Sequence, residues 1–146
     1  MTGRGRPLPV ADARSAAYWA GAARHELVLP RCGACGQLSF PPDVVCPHCR
    51  SARPEFVYEP VAGGGTIRSW TVVHDSFLPG FADDLPFVLV DVALDAPGDL
   101  RMIGRLLDGP GVTLHLGDRV SVAFEDLGDA GCVPAFALSS PGEPVA

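Results

Sequence analysis

The sequence predicts a mainly β protein, in which a short N-terminal helix and a cysteine-bearing ribbon precede a small five-stranded barrel. Three observations carry this prediction. Cys32, Cys35, Cys46 and Cys49 form two Cys-x-x-Cys pairs ten residues apart. Beyond Gly63-Gly64-Gly65 the chain breaks into five short β-branched or apolar runs divided by Gly, Pro and Asp turns. Ahead of the cysteines an Ala-rich segment carries apolar residues at helical spacing.

The helix is expected over Asp12 to His25, within an N-terminal segment of residues 1–27. Asp12 is placed to cap its first turn, and Ala16, Trp19, Ala20, Ala23 and Leu27 recur at i, i+3, i+4 spacing. A helix this short and thinly apolar is marginal alone. Tyr18 and Trp19 therefore need a surface, either the chain's own barrel or a second protein.

The ribbon is expected over residues 28–53. Each Cys-x-x-Cys pair places two thiolates on one side of a tight turn, and two such pairs offer a closed tetrahedral sulfur site. That spacing is the signature of one structural zinc ion with no coordination position left for substrate or water. His48 lies between Pro47 and Cys49, but four thiolates already fill the shell. Arg31, Arg50 and Arg53 flank the knuckles, as a solvated basic rim or as groups that join backbone N–H donors in holding an anion.

The barrel is assigned to residues 54–146, with Pro54 to Ala62 as a connector and Gly63-Gly64-Gly65 as a turn of unusual freedom. The runs are Thr66 to His74, Phe87 to Leu94, Leu100 to Leu107, Arg119 to Phe124 and Pro134 to Leu138. Alternation places Val120, Val122 and Phe124 inward. Gly104, inside the third run, marks a sharp bend or a close backbone approach. Five strands with little helix point to a barrel of the oligonucleotide/oligosaccharide-binding (OB) type, with an open β-sandwich as the alternative.

Charge narrows the function. The net charge is −6, there is no lysine, and 14 acidic residues face four arginines after residue 53. Single-stranded nucleic-acid binding, a common use of such barrels, depends on a basic footprint that this half lacks. No apolar run approaches the roughly 20 residues that cross a bilayer. The N-terminus lacks the apolar stretch of a signal peptide, so reduced thiols in the cytoplasm are expected rather than two disulfides.

No catalytic constellation is legible. Cys132 has no histidine near it in sequence and reads as a small apolar residue. His74 with Asp75 reads as a strand-end surface pair, and Asp83 and Asp84 as solvated loop charge. Asp91 interrupts an apolar run and marks a face where a partner would lie.

Taken along the chain, Ala17-Tyr18-Trp19, Leu29-Pro30-Arg31-Cys32-Gly33-Ala34-Cys35-Gly36, Phe40-Pro41-Pro42, Cys46-Pro47-His48-Cys49, Gly65 to Val72, Pro86-Phe87 and Gly117-Asp118-Arg119-Val120 form one pattern. It resembles the zinc-ribbon plus OB-fold family associated with acyl-coenzyme A metabolism, long catalogued as a domain of unknown function, whose ribbon is rubredoxin-like. The resemblance implies a non-catalytic companion subunit of a thiolase-fold enzyme, in a heteromeric complex. Thiolases, hydroxymethylglutaryl-coenzyme A synthases and steroid side-chain retro-aldolases are the partners it suggests. It implies that Tyr18, Trp19 and Phe40 meet the partner and that a coenzyme A thioester is a shared ligand. Its phosphates favour guanidinium groups, so Arg31, Arg50 and Arg53 are the first candidates, with Arg68 and Arg105 second.

Overall fold

The computed structural model describes residues 5–139. The outer ends of the first and last expected segments therefore lie outside the described residues.

Helix α1 spans Ala16–Ala23, shorter at both ends than the expected Asp12 to His25. The Asp12 carboxylate accepts the backbone N–H groups of Arg14 (3.0 Å) and Ser15 (2.9 Å), so it organises the turn before the helix rather than capping the helix itself. At the other end His25 adopts φ 59°, a left-handed conformation that stops the helix. The buried face is also different: Tyr18, Gly21 and Ala22 are buried, while Ala16, Ala20 and Ala23 are exposed. Gly21 decides this. A Cβ there would lie 2.4 Å from Val28 Cγ2, so α1 sits down on the next strand through its glycine.

Strand β1 (Val28–Arg31) pairs antiparallel with β2 (Val57–Pro60), in register from Val28 opposite Pro60 to Arg31 opposite Val57. The segment read as a connector thus holds a strand. Arg31 Nε donates to Glu59 Oε1 across this pair at 3.0 Å. Between β1 and β2 run the two knuckles, built alike. Gly36 N–H donates to Cys32 O at 2.8 Å, and Arg50 N–H donates to Cys46 O at 2.9 Å. The donors occupy equivalent left-handed positions, Gly36 at φ 76° and Arg50 at φ 62°.

The five remaining strands are β3 (Gly64–Val73), β4 (Phe87–Leu94), β5 (Arg101–Leu106), β6 (Arg119–Asp126) and β7 (Cys132–Leu138). They close into a barrel in the order β3-β4-β5-β7-β6. The β5–β7 contact, at Leu106 and Phe136, is parallel, and the other neighbours are antiparallel. Closure is the OB-type arrangement and excludes the open sandwich. Every second residue of β4 is buried, as its alternation demands, and Val90, Val92 and Phe136 are fully enclosed. Tyr18, Leu29 and Leu38 join the same core, so helix, ribbon and barrel share one apolar interior.

The glycines work by close approach. A Cβ on Gly63 would lie 1.9 Å from Val122 Cγ1, and one on Gly65 would lie 2.6 Å from the Ala93 carbonyl oxygen. The triple glycine therefore lets β3 begin tight against its neighbours and is not a free turn. Gly104 leaves room for the Phe136 ring, 2.9 Å from its would-be Cβ. On β6, Val120 is buried and Val122 packs on the core, but Phe124 stacks on the His25 ring instead (5.2 Å, 7°).

Asp84 is not solvated loop charge. It pairs with Arg6 and, at 3.5 Å, with Arg105, and both arginines also reach Glu125. This quartet ties the N-terminal arm to one end of the barrel, with Arg6 over the Phe81 ring and Arg105 over the Phe87 ring. Asp91 is bound across the sheet by Arg101.

Candidate metal centre and aromatic groove

The four cysteine sulfurs converge within 4.8 Å of one another, with Cys32 and Cys46 buried and Cys35 and Cys49 nearer the surface. Cys32 Sγ lies 3.8 Å from Cys49 Sγ, and Cys35 Sγ lies 3.7 Å from Cys46 Sγ. A disulfide requires about 2.0 Å. Four thiolates about 2.3 Å from a tetrahedral zinc stand about 3.8 Å apart, so the donor set and its spacing fit that ion. The cluster is capable of coordinating one structural zinc. Backbone N–H groups of Cys49, and then of His48, hold the Cys46 thiol down at about 6, while at Cys35 the Gln37 N–H is outweighed by burial and the neighbouring cysteine sulfurs, which push that thiol up to about 11. Ala34 N–H donates to Cys32 Sγ at 3.3 Å. His48 stays out of the ligand set: its Nε2 is 3.0 Å from the Leu38 carbonyl oxygen, a tie between the two knuckles.

Beside the ribbon lies a groove of about 430 Å³. Tyr18 and Trp19 of α1 form one wall, Phe40 and Pro42 from the loop between the knuckles form another, Ile103 of β5 and Pro134 of β7 extend the floor, and Asp12, Arg14 and Ser15 add a polar rim. The Tyr18 ring meets Trp19 edge-on at 4.9 Å and Phe40 at 5.7 Å. Burial leaves Tyr18 7% exposed and pushes its phenol up to about 12. The structure therefore brings the adjacent pair Tyr18 and Trp19 together with Phe40, which lies on the far side of the first knuckle in sequence. Ile103 went unrecognised in the sequence. Its neighbours Met102 and Gly104 point inward, which turns Ile103 outward, where it is 68% exposed.

The five arginines are dispersed. Arg31 is engaged by Glu59 and the Gly36 carbonyl, and Arg105 by Asp84 and Glu125. Arg50 and Arg53 are exposed on the ribbon, and Arg68 is exposed on β3. Cys132 does have a histidine in space: its Sγ lies 3.5 Å from His25 Nε2, a contact made by α1 folding back on β7 and invisible in the sequence. Asp91 stays with Arg101, and Asp75 accepts the Ser76 N–H at 2.8 Å.

Residues 19–55 match the family described as ChsH2, rubredoxin-like zinc ribbon domain, and residues 58–125 match ChsH2, C-terminal OB-fold domain. The chain belongs to this DUF35/ChsH2 zinc-ribbon and OB-fold family. Among curated proteins, 91 residues are 36% identical to a probable enoyl-CoA hydratase alpha subunit of Thermomonospora curvata, covering 61% of this chain and 27% of that protein. The chain thus spans about a quarter of that relative's length. A DUF35 domain-containing scaffold protein of Methanocaldococcus jannaschii is 28% identical over 108 residues, 74% of each chain. Among solved structures, the Ltp2-ChsH2(DUF35) aldolase superposes with a TM-score of 0.74 at 27% identity, over 89% of this chain and 98% of that one. A DUF35 protein of Sulfolobus solfataricus shares the fold, with a TM-score of 0.57 at 13% identity over 88% of this chain and 87% of that one. Among the described residues no helix is long and apolar enough to cross a membrane.

Proposed function

We propose that this chain is a non-catalytic companion subunit of a thiolase-fold acyl-coenzyme A enzyme, docking through the aromatic groove. The groove carries the proposal: it is mainly apolar with a polar rim of Asp12, Arg14 and Ser15, sits where helix, ribbon and barrel meet, and presents Ile103 and half-buried Trp19 to whatever lies outside. Supporting the companion role are the scaffold-protein relatives and the likeness to an aldolase that includes a ChsH2(DUF35) component.

In this reading Cys32, Cys35, Cys46 and Cys49 would hold zinc, which supplies rigidity and no open coordination site. The ribbon fixes Phe40, and Gly21 fixes α1, so that both walls of the groove are set before the partner arrives. The partner provides the nucleophile or base, and this chain helps exclude water and orient the thioester. Half-buried Trp19 and Phe40 face the partner, and Tyr18, buried behind them, holds the two in place. Of the arginines, exposed Arg50, Arg53 and Arg68 are better placed to meet coenzyme A phosphates than Arg31 and Arg105, which already hold carboxylates. A retro-aldolase is the partner reaction we favour. Its steroid acyl group and the cytoplasmic setting rest on the sequence resemblance.

The test is co-purification of the tagged chain from its native cell, with mass spectrometry of captured proteins and assay of the complex with acyl-coenzyme A substrates. A thiolase-fold protein in near-equal amount is expected, and Trp19→Ala with Phe40→Ala is expected to release it. Capture unaffected by that double substitution would move the interface elsewhere, and a chain that captures no such protein would end the reading.

A further inference from the structure

Strand β3 is ten residues long, yet β6 pairs only with Gly64–Thr66. Ile67 then gives its N–H to the Asp118 carbonyl and accepts the Gly117 N–H, both at the turn before β6. From Arg68 onward β3 has β4 on one side and, among the described residues, no paired strand on the other.

The direction of the unspent groups follows from β4. Leu94 N–H donates to Leu100 on the β5 side, and Asp95 N–H donates to Gly64 on the β3 side. Backbone groups alternate along a strand, so Asp91, Leu89 and Phe87 face β3. Their partners beyond the bulge are Ser69, Thr71 and Val73, which turn their own N–H and C=O toward β4. Trp70 and Val72 therefore aim their backbone groups at the open edge. All five residues from Arg68 to Val72 are exposed, Trp70 at 39% and Val72 at 38%. Edges left open are usually guarded by charge or proline. Here Arg68 stands at one end, and Ser69 to Val73 hold neither.

We propose that this edge pairs with the same edge of a second copy of the chain. The strand is its own complement in one register. Antiparallel pairing about a two-fold axis at Thr71 sets Trp70 opposite Val72 twice, in the hydrogen-bonded positions, and Thr71 opposite Thr71 on the axis. Aromatic with β-branched and Thr with Thr are favoured cross-strand pairs, and no like charges meet between Ser69 and Val73. The product is a continuous sheet from β5 of one copy to β5 of the other. The aromatic groove takes in Ile103 of β5, which also lines a small hollow with Ser69, Trp70 and Thr71, so the two surfaces adjoin; the pairing itself uses the outward backbone groups of Trp70 and Val72 and not the groove.

Sedimentation equilibrium of the zinc-loaded chain tests the proposal, with a concentration-dependent dimer as the expected result. Val72→Pro removes one edge N–H without touching the β4 ladder, and Trp70→Lys installs a charge on the edge. Each is expected to raise the dimer dissociation constant about tenfold or more. A second measurement does not depend on those variants folding well. In a Cys132→Ser background, mild oxidation should cross-link Thr71→Cys to its symmetry mate, and Ser69→Cys, whose opposite residue is Val73, should resist. A monomer at every concentration overturns the proposal, as does a dimer indifferent to both edge variants. Loss of a different protein's binding on Trp70→Lys, with no self-association, likewise assigns the edge to another chain's strand.

Discussion

The ribbon and the barrel solve the same problem with different materials. In the barrel, alternate residues of β4 enter a closed interior, and Phe136 fills the space that Gly104 leaves open. From Gly33 to Gln37 and from Pro47 to Arg50 the ribbon is exposed, so burial contributes little there. Its knuckles are held by four converging sulfurs and a repeated backbone bond. The comparison teaches that the metal takes the place of a core where the chain is too short to build one, and that the groove inherits this. Phe40, one of its walls, stands on the loop between the knuckles.

The largest break in that comparison is loss of the metal. Structural zinc contributes on the order of 10 kcal/mol to small cysteine sites. Cys46→Ser, or a strong chelator, is expected to abolish stoichiometric zinc and to open the ribbon and the groove. Far-ultraviolet circular dichroism should retain most of the strand signal, with zinc analysis alongside. Simultaneous collapse of the strand signal would mean that the barrel depends on the ribbon through the core they share.

On the other side, Phe136→Ala empties the barrel centre. A loss of about 3–5 kcal/mol in urea unfolding is expected, while the folded fraction keeps its zinc. Gly104→Ala presses a methyl against the same ring and should cost about 1–3 kcal/mol.

A smaller effect separates the two knuckles. Gly36 and Arg50 occupy the same left-handed position, one as glycine and the other not. Gly36→Ala should cost about 1 kcal/mol, since nothing among the described residues lies within 4 Å of its would-be Cβ and only the backbone objects. Arg50→Gly should be neutral or slightly stabilising in urea unfolding. That variant also isolates Arg50's side chain, so an accompanying fall in acyl-coenzyme A affinity of the complex would reflect the guanidinium and not the fold.

Much of this was legible in advance because its signals are local. Four cysteines at fixed spacing define the ribbon, and the alternation of Phe87 to Leu94 needs no partner to be read. β2 was hidden because Val-Tyr-Glu-Pro lacks an apolar alternation; it is a strand because Val28–Arg31 lies ready to receive it. The face of α1 was misread because its determinant is a missing side chain, Gly21, against Val28. The Arg6, Asp84, Arg105 and Glu125 quartet, and the Cys132–His25 contact, join residues from 20 to 119 positions apart, a separation that composition and periodicity do not encode.

The buried phenol of Tyr18 gives the groove a voice of its own. The chain has two tyrosines, and both ionise late: Tyr18 at about 12, because burial disfavours the phenolate, and Tyr58 above its ordinary value for the same chief reason. A phenol whose folded pKa is raised stabilises the fold below the ordinary value near 10, and that contribution is lost as pH climbs toward 12. Tyrosinate absorbance can therefore report the condition of the groove without a label. If zinc leaves and Phe40 withdraws, the Tyr18 step should slide back toward 10, so the colour of one ring records whether the metal is holding the wall beside it.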